Sequence, residues 1–190
     1  MKPLHRTCRR LLGAAAIALS AASGSQAASI VVDATGVQSR NLLGEAGNTV
    51  LQVDVGAYSA LQSLDWSVLL EAFAPSLLSE LQFSFGSSSG LDTVTLAPAA
   101  ADAISGSGQY SGSLDLSALG LAVGADGLLR IEFSEQFKDL GTDVADGRWL
   151  GGTLTFGVSA VPEPGTASLL LAAAAGLALA GRFRPGRRPG

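Results

Sequence analysis

A chain of 190 residues with one histidine and one cysteine has room for one ordinary domain. Its formal charge of −4 understates the middle of the chain. All 16 acidic residues lie between positions 28 and 164, where only Arg40, Arg130, Lys138 and Arg148 offset them, leaving −12 and excluding a nucleic-acid partner.

Residues 1–27 read as a secretory signal. Lys2, Arg6, Arg9 and Arg10 form a basic start, and Leu11 to Ala22 form an apolar stretch. Ser25-Gln26-Ala27 then supplies a small-residue cleavage site ending at Ala27. The apolar stretch is too short to span a bilayer comfortably, which favours removal over anchoring. Cys8 precedes that stretch, whereas a lipid-accepting cysteine follows it. Arg9-Arg10 is an ordinary feature of a basic start, so the expected route is the Sec export machinery. His5 and Cys8 leave with the signal. Ser-His-Asp and Cys-His nucleophiles, His/Cys zinc sites, haem ligation and disulfides are thereby excluded from the mature chain. Its stability must come from a hydrophobic core.

From 28 to 160 the hydrophobic period is mostly two. Ser29 to Ala34 is a β-rich opening. Leu51, Val53 and Val55 alternate with polar neighbours, as do Leu64, Trp66, Val68 and Leu70, and then Leu81, Phe83 and Phe85. Further strands are predicted over 91–96, 112–116, 128–133 and 152–158. Turn signals separate them at Gly44 to Asn48, Gly86 to Gly90, Ser105 to Gly108, Asp126-Gly127 and Asp146-Gly147. About eight short strands of this kind predict an all-β domain, an antiparallel β-sandwich of jelly-roll type. Residues 59–74 also fit a helical face, but Pro75 and the alternation around Trp66 favour a strand. Trp66 and Trp149 read as core or rim packing in preference to sugar platforms. Neither an internal repeat nor a phosphate-loop spacing is present.

Carboxylates gather in the last third: Asp126, Glu132, Glu135, Asp139, Asp143 and Asp146. Glycoside hydrolysis needs two of them at a defined separation. Glu132 and Glu135 have an odd offset and so face opposite sides of a strand. The loop carrying Asp139, Asp143 and Asp146 has glycines and hard oxygen donors, so it reads either as a calcium site or as a solvated acidic surface. Its spacing is not that of an EF-hand.

Residues 161–190 have three parts. Val161-Pro162-Glu163-Pro164-Gly165 comes first, with two prolines that hold the chain extended. An apolar run follows in which Ser168 is the one polar side chain between Ala167 and Ala180. A helix over 165–181 would reach about 25 Å, marginal against a hydrocarbon core of about 30 Å. Arg182, Arg184, Arg187 and Arg188 close the chain and would sit on the cytoplasmic side.

This order resembles the PEP-CTERM sorting signal of Gram-negative bacteria, and the resemblance covers about 30 of the 190 residues. It implies that Pro162, Glu163 and Pro164 are recognised by exosortase, a membrane protease, and that the four arginines retain the chain until processing. Pro185, Gly186, Pro189 and Gly190 interrupt the usual compact basic end. The implied route runs through an inner-membrane intermediate to the cell surface or beyond, in organisms that build polysaccharide matrices. The resulting expectation is a non-catalytic surface or matrix protein whose partner is extracellular polysaccharide. The alternative is a secreted polysaccharide hydrolase working with carboxylates alone.

Overall fold

The computed structural model describes residues 27–159. The signal segment ahead of Ala27, the Pro162-Glu163-Pro164 motif, the 165–181 span and the arginine cluster lie outside the described residues. Among those described, no helix is long and apolar enough to cross a membrane.

Nine strands follow in order: β1 (Ala27–Asp33), β2 (Gln38–Ser39), β3 (Thr49–Asp54), β4 (Ala60–Ala72), β5 (Leu81–Ser87), β6 (Thr93–Leu96), β7 (Gly106–Asp115), β8 (Leu128–Glu135) and β9 (Gly147–Ser159). They form two antiparallel sheets. One has the order β1-β9-β4-β7, with β2 also on β9; the other runs β3-β8-β5-β6. The chain is mostly β, as its period of two predicts, and residues 60–72 are strand.

Alternation carries the apolar side chains of both sheets inward. Phe83, Phe85, Leu129, Ile131 and Phe133 from one sheet meet Leu64, Val68, Leu70, Trp149, Leu154 and Phe156 from the other, all buried. The Trp149 ring stands edge-on to Phe133 and Phe83 at 5.0 and 5.7 Å, and Phe85 meets Phe156 at 5.2 Å. Such contacts across the layers add about 0.5–1.5 kcal/mol each beyond area burial. Trp149 is therefore core, and Trp66 packs against the core's rim.

Two irregularities depart from the predicted pattern. Strand β7 begins at Gly106, inside the stretch read as a turn from its glycines. Gly108 and Gly112 are there for space instead: a Cβ on either would strike the Tyr110 or Trp66 ring. In β9 the register shifts opposite Leu69 and Leu70, and Gly152 follows with φ +113°. A side chain at Gly152 would collide with the Ser67 carbonyl, so the bulge requires glycine.

Ser159 lies opposite both Ala27 and Ala60. Both ends of the described chain thus leave from one end of the first sheet. The opposite end holds the connections 34–48, 73–80, 97–105 and 136–146, and Glu132, Glu135, Asp139, Asp143 and Asp146 lie toward it, whereas Asp126 stays at the end of the termini, bonded to Ser88.

Candidate functional site

Strand β8 brings two glutamates to this region, and the alternation sends them apart. Glu132 sits on the outer side of its sheet, under the segment between β2 and β3. Its Oε1 accepts hydrogen bonds from the Gly44 amide at 2.7 Å and from Asn48 Nδ2 at 2.8 Å. Oε2 accepts one from the Arg130 guanidinium at 2.5 Å. Burial pushes its pKa up, but the bonds from Asn48, Arg130 and Gly44 outweigh that and hold it below the ordinary glutamate value. The carboxylate is a fastener for the covering segment.

Glu135 shares the inward parity of Ile131 and Phe133. It is 1% exposed, and neither carboxyl oxygen has a hydrogen-bond partner. The nearby Ser39 hydroxyl donates to the Ser134 carbonyl instead. Burial first, then the charge of Asp146, then that of Glu80, push the Glu135 pKa up to about 8, against the pulls of the nearby Ser39 hydroxyl and of Lys138. At neutral pH this side chain is mostly a neutral acid.

Asp146 lies just ahead of β9 and is fully buried. Its Oδ1 accepts from Lys138 Nζ at 2.6 Å and from the Leu140 amide at 3.3 Å, while Oδ2 accepts from the Asp139 amide at 2.9 Å. Lys138 Nζ also donates to the Val144 carbonyl at 2.5 Å. The loop 138–146 is thus wrapped around one internal carboxylate. Asp139, at its edge, is raised by partial desolvation and by neighbouring Glu80.

The calcium set is not brought together. Asp146 turns inward to Lys138, whereas Asp143 is exposed and its Oδ1 accepts from Asn41 Nδ2 at 2.9 Å. Among the described residues, no group of three or more His, Cys, Asp or Glu side chains is arranged to hold a metal ion. The reason is local: a lysine and two backbone amides already occupy the oxygens that a cation would take. Glu132 and Glu135 form no pair either, for the parity reason given above, and each is 1% exposed. Ala27 is placed as the first residue of β1.

Sequence reasoning missed the Lys138–Asp146 pair and the burial of Glu135. One signal was available: Lys138 is the only lysine after Lys2. Its partner was concealed in a dipeptide, Asp146-Gly147, that reads as a turn.

No protein-family model matches the chain, and no curated protein sequence does. Among solved structures the chain is similar to that of tomato aspermy virus, at 12% identity over 86% of this chain and 85% of that one, with a TM-score of 0.27. It is also similar to the tobacco streak virus coat protein dimer, at 12% identity over 73% of this chain and 91% of that one, with a TM-score of 0.29. Overlaps this loose carry no inference about function.

Proposed function

We propose that this chain is an exported protein of the cell surface or extracellular matrix, with a non-catalytic jelly-roll domain and a C-terminal sorting signal cut by an exosortase-type protease. The observation that carries the reading is the ordered tail: Pro162-Glu163-Pro164, one apolar run, then Arg182, Arg184, Arg187 and Arg188. In this reading the Sec machinery exports the chain, the arginines hold it at the inner membrane, and extracellular polysaccharide is the partner of the released domain.

Two structural features support it. Leaving aside the two-residue β2, the other eight strands interleave as first-eighth-third-sixth over second-seventh-fourth-fifth. Two nested Greek keys would give that order, and it is what favours the jelly-roll reading. Second, the strand that leads to the tail, β9, is flanked by β1 and β4, so the ladder is complete at Ser159. Cutting at the proline motif removes no described strand. The non-catalytic reading is supported by Glu135 and Asp146, the carboxyls with the least ordinary surroundings, being closed off from any substrate.

Mass spectrometry of the released protein tests the address. The expected product ends near the proline motif and lacks the apolar run. Released protein that is intact through Gly190 would contradict processing.

A further inference from the structure

The loop 138–146 joins two groups whose chemistry a surface domain does not need. Lys138 Nζ lies 2.6 Å from Asp146 Oδ1, with the two side chains 18% and 0% exposed. Nothing but backbone and this lysine bonds to the Asp146 carboxylate. We propose that Lys138 and Asp146 join through an intramolecular isopeptide bond, Nζ to Cγ, the protons passing directly from Nζ to Oδ1.

Each partner has an assigned part. The lysine ammonium passes a proton to Asp146 Oδ1 across their 2.6 Å hydrogen bond, and the freed Nζ lone pair attacks the carbon of the neutral carboxyl group so formed. Excess negative charge on the tetrahedral intermediate falls on Oδ2, where the Asp139 amide already donates at 2.9 Å. A preformed donor at a developing oxyanion, in a site closed to water, is the arrangement that lowers acyl-transfer barriers. A second proton then passes from Nζ to Oδ1, which departs as water. One C–N bond forms, one C–O bond breaks, and one water leaves; nothing is oxidised or reduced. The Val144 carbonyl accepts from Nζ at 2.5 Å and holds the amine against its target.

The bond would staple the chain leaving β8 to the start of β9. The mature sequence has no cysteine with which to make a disulfide there. Burial favours the product as well, since a neutral amide replaces an ion pair whose desolvation is costly.

The sequence provides a direct readout. Trypsin cuts after Arg130, Lys138 and Arg148, so the full chain, denatured and digested, yields 131–138 and 139–148 if no bond has formed. The cross-linked chain yields one peptide, 131–148, lighter by one water and uncut after Lys138. Two peptides of full mass would overturn the proposal. So would loss of water with cleavage after Lys138 retained, which marks a succinimide at Asp146-Gly147. Lys138→Arg is expected to abolish the water loss. The digest of the unaltered chain decides the bond itself even if a variant fails to fold.

Discussion

Glu132 and Glu135 stand three residues apart on one strand, both closed to solvent, and the protein treats them in opposite ways. Around Glu132, an amide, an asparagine and an arginine converge, and the ionised form is held. Around Glu135, more deeply enclosed, no donor bonds to either oxygen, and two carboxylates add to the effect of burial. The charge of a closed-off carboxyl is therefore set by depth and by the supply of donors together. The first site fastens a surface segment, and the second keeps a neutral acid beside a lysine and an aspartate.

Stability against pH should separate the two most strongly. Glu135 has a folded-state pKa of about 8, above its unfolded value of 4.5. Between those values the folded state holds a proton that the unfolded state has released. Its contribution is fully present below pH 4.5 and is lost as pH rises through 8. The slope reaches at most about 1.4 kcal/mol per pH unit, so the change across the window is on the order of 3–5 kcal/mol. Glu132, held below its ordinary value, has the opposite sign: its contribution is present above pH 4.5 and lost as pH falls further. Denaturant midpoints are expected to peak near pH 5 and decline toward pH 8. In Glu135→Gln the alkaline decline should flatten; a decline of unchanged size would assign it to other groups.

Removing the fastener should cost somewhat less. Glu132→Ala leaves the Arg130 guanidinium and the Asn48 and Gly44 donors without their acceptor, in a region closed by the covering segment. A loss of about 2–4 kcal/mol is expected in urea unfolding at pH 7, part of it recovered in Glu132→Gln, which keeps one acceptor oxygen. Hydrogen exchange at the Gly44 amide should quicken in Glu132→Ala. If exchange there is unaltered, the segment is held by something other than this carboxylate.

Parity along β8 made the opposite orientation of the two glutamates legible without a structure, as alternation along β5 did the inward Phe83 and Phe85. The strands themselves were legible for the same reason: one buried face imposes a period of two. Burial of the glutamates was not legible. It comes from residues distant in sequence, Gly44 and Asn48 over Glu132, and Glu80 and Asp146 near Glu135. The glycines of β7 misled for a related reason, since their cause is the Trp66 and Tyr110 rings packing on them, and a one-dimensional pattern cannot distinguish space for a ring from freedom to turn. The loop 138–146 was read as acidic oxygens facing outward, because nothing in the spacing says that Lys138 folds back.

That loop yields the smallest expected effect. Calcium binding requires several oxygens free to converge, and a ligand that binds the folded state alone raises its stability with concentration. Asp146 already holds Lys138 and the Asp139 and Leu140 amides, while Asp143 bonds to Asn41 on the neighbouring segment. A cation would have to displace the ammonium from a fully buried carboxylate, or meet an uncharged amide where the bond has formed, and turn Asp143 around. The thermal midpoint is therefore expected to stay the same with calcium added or with chelator. Lys138→Met makes the test sharper, because it frees Asp146 Oδ1 without adding a competing donor. If calcium stabilises that variant and not the unaltered protein, the lysine is what keeps the ion out. If calcium raises the midpoint of both, Asp139, Asp143 and Asp146 can still assemble around it, and the contrast between a loop closed on its own lysine and one open to metal fails.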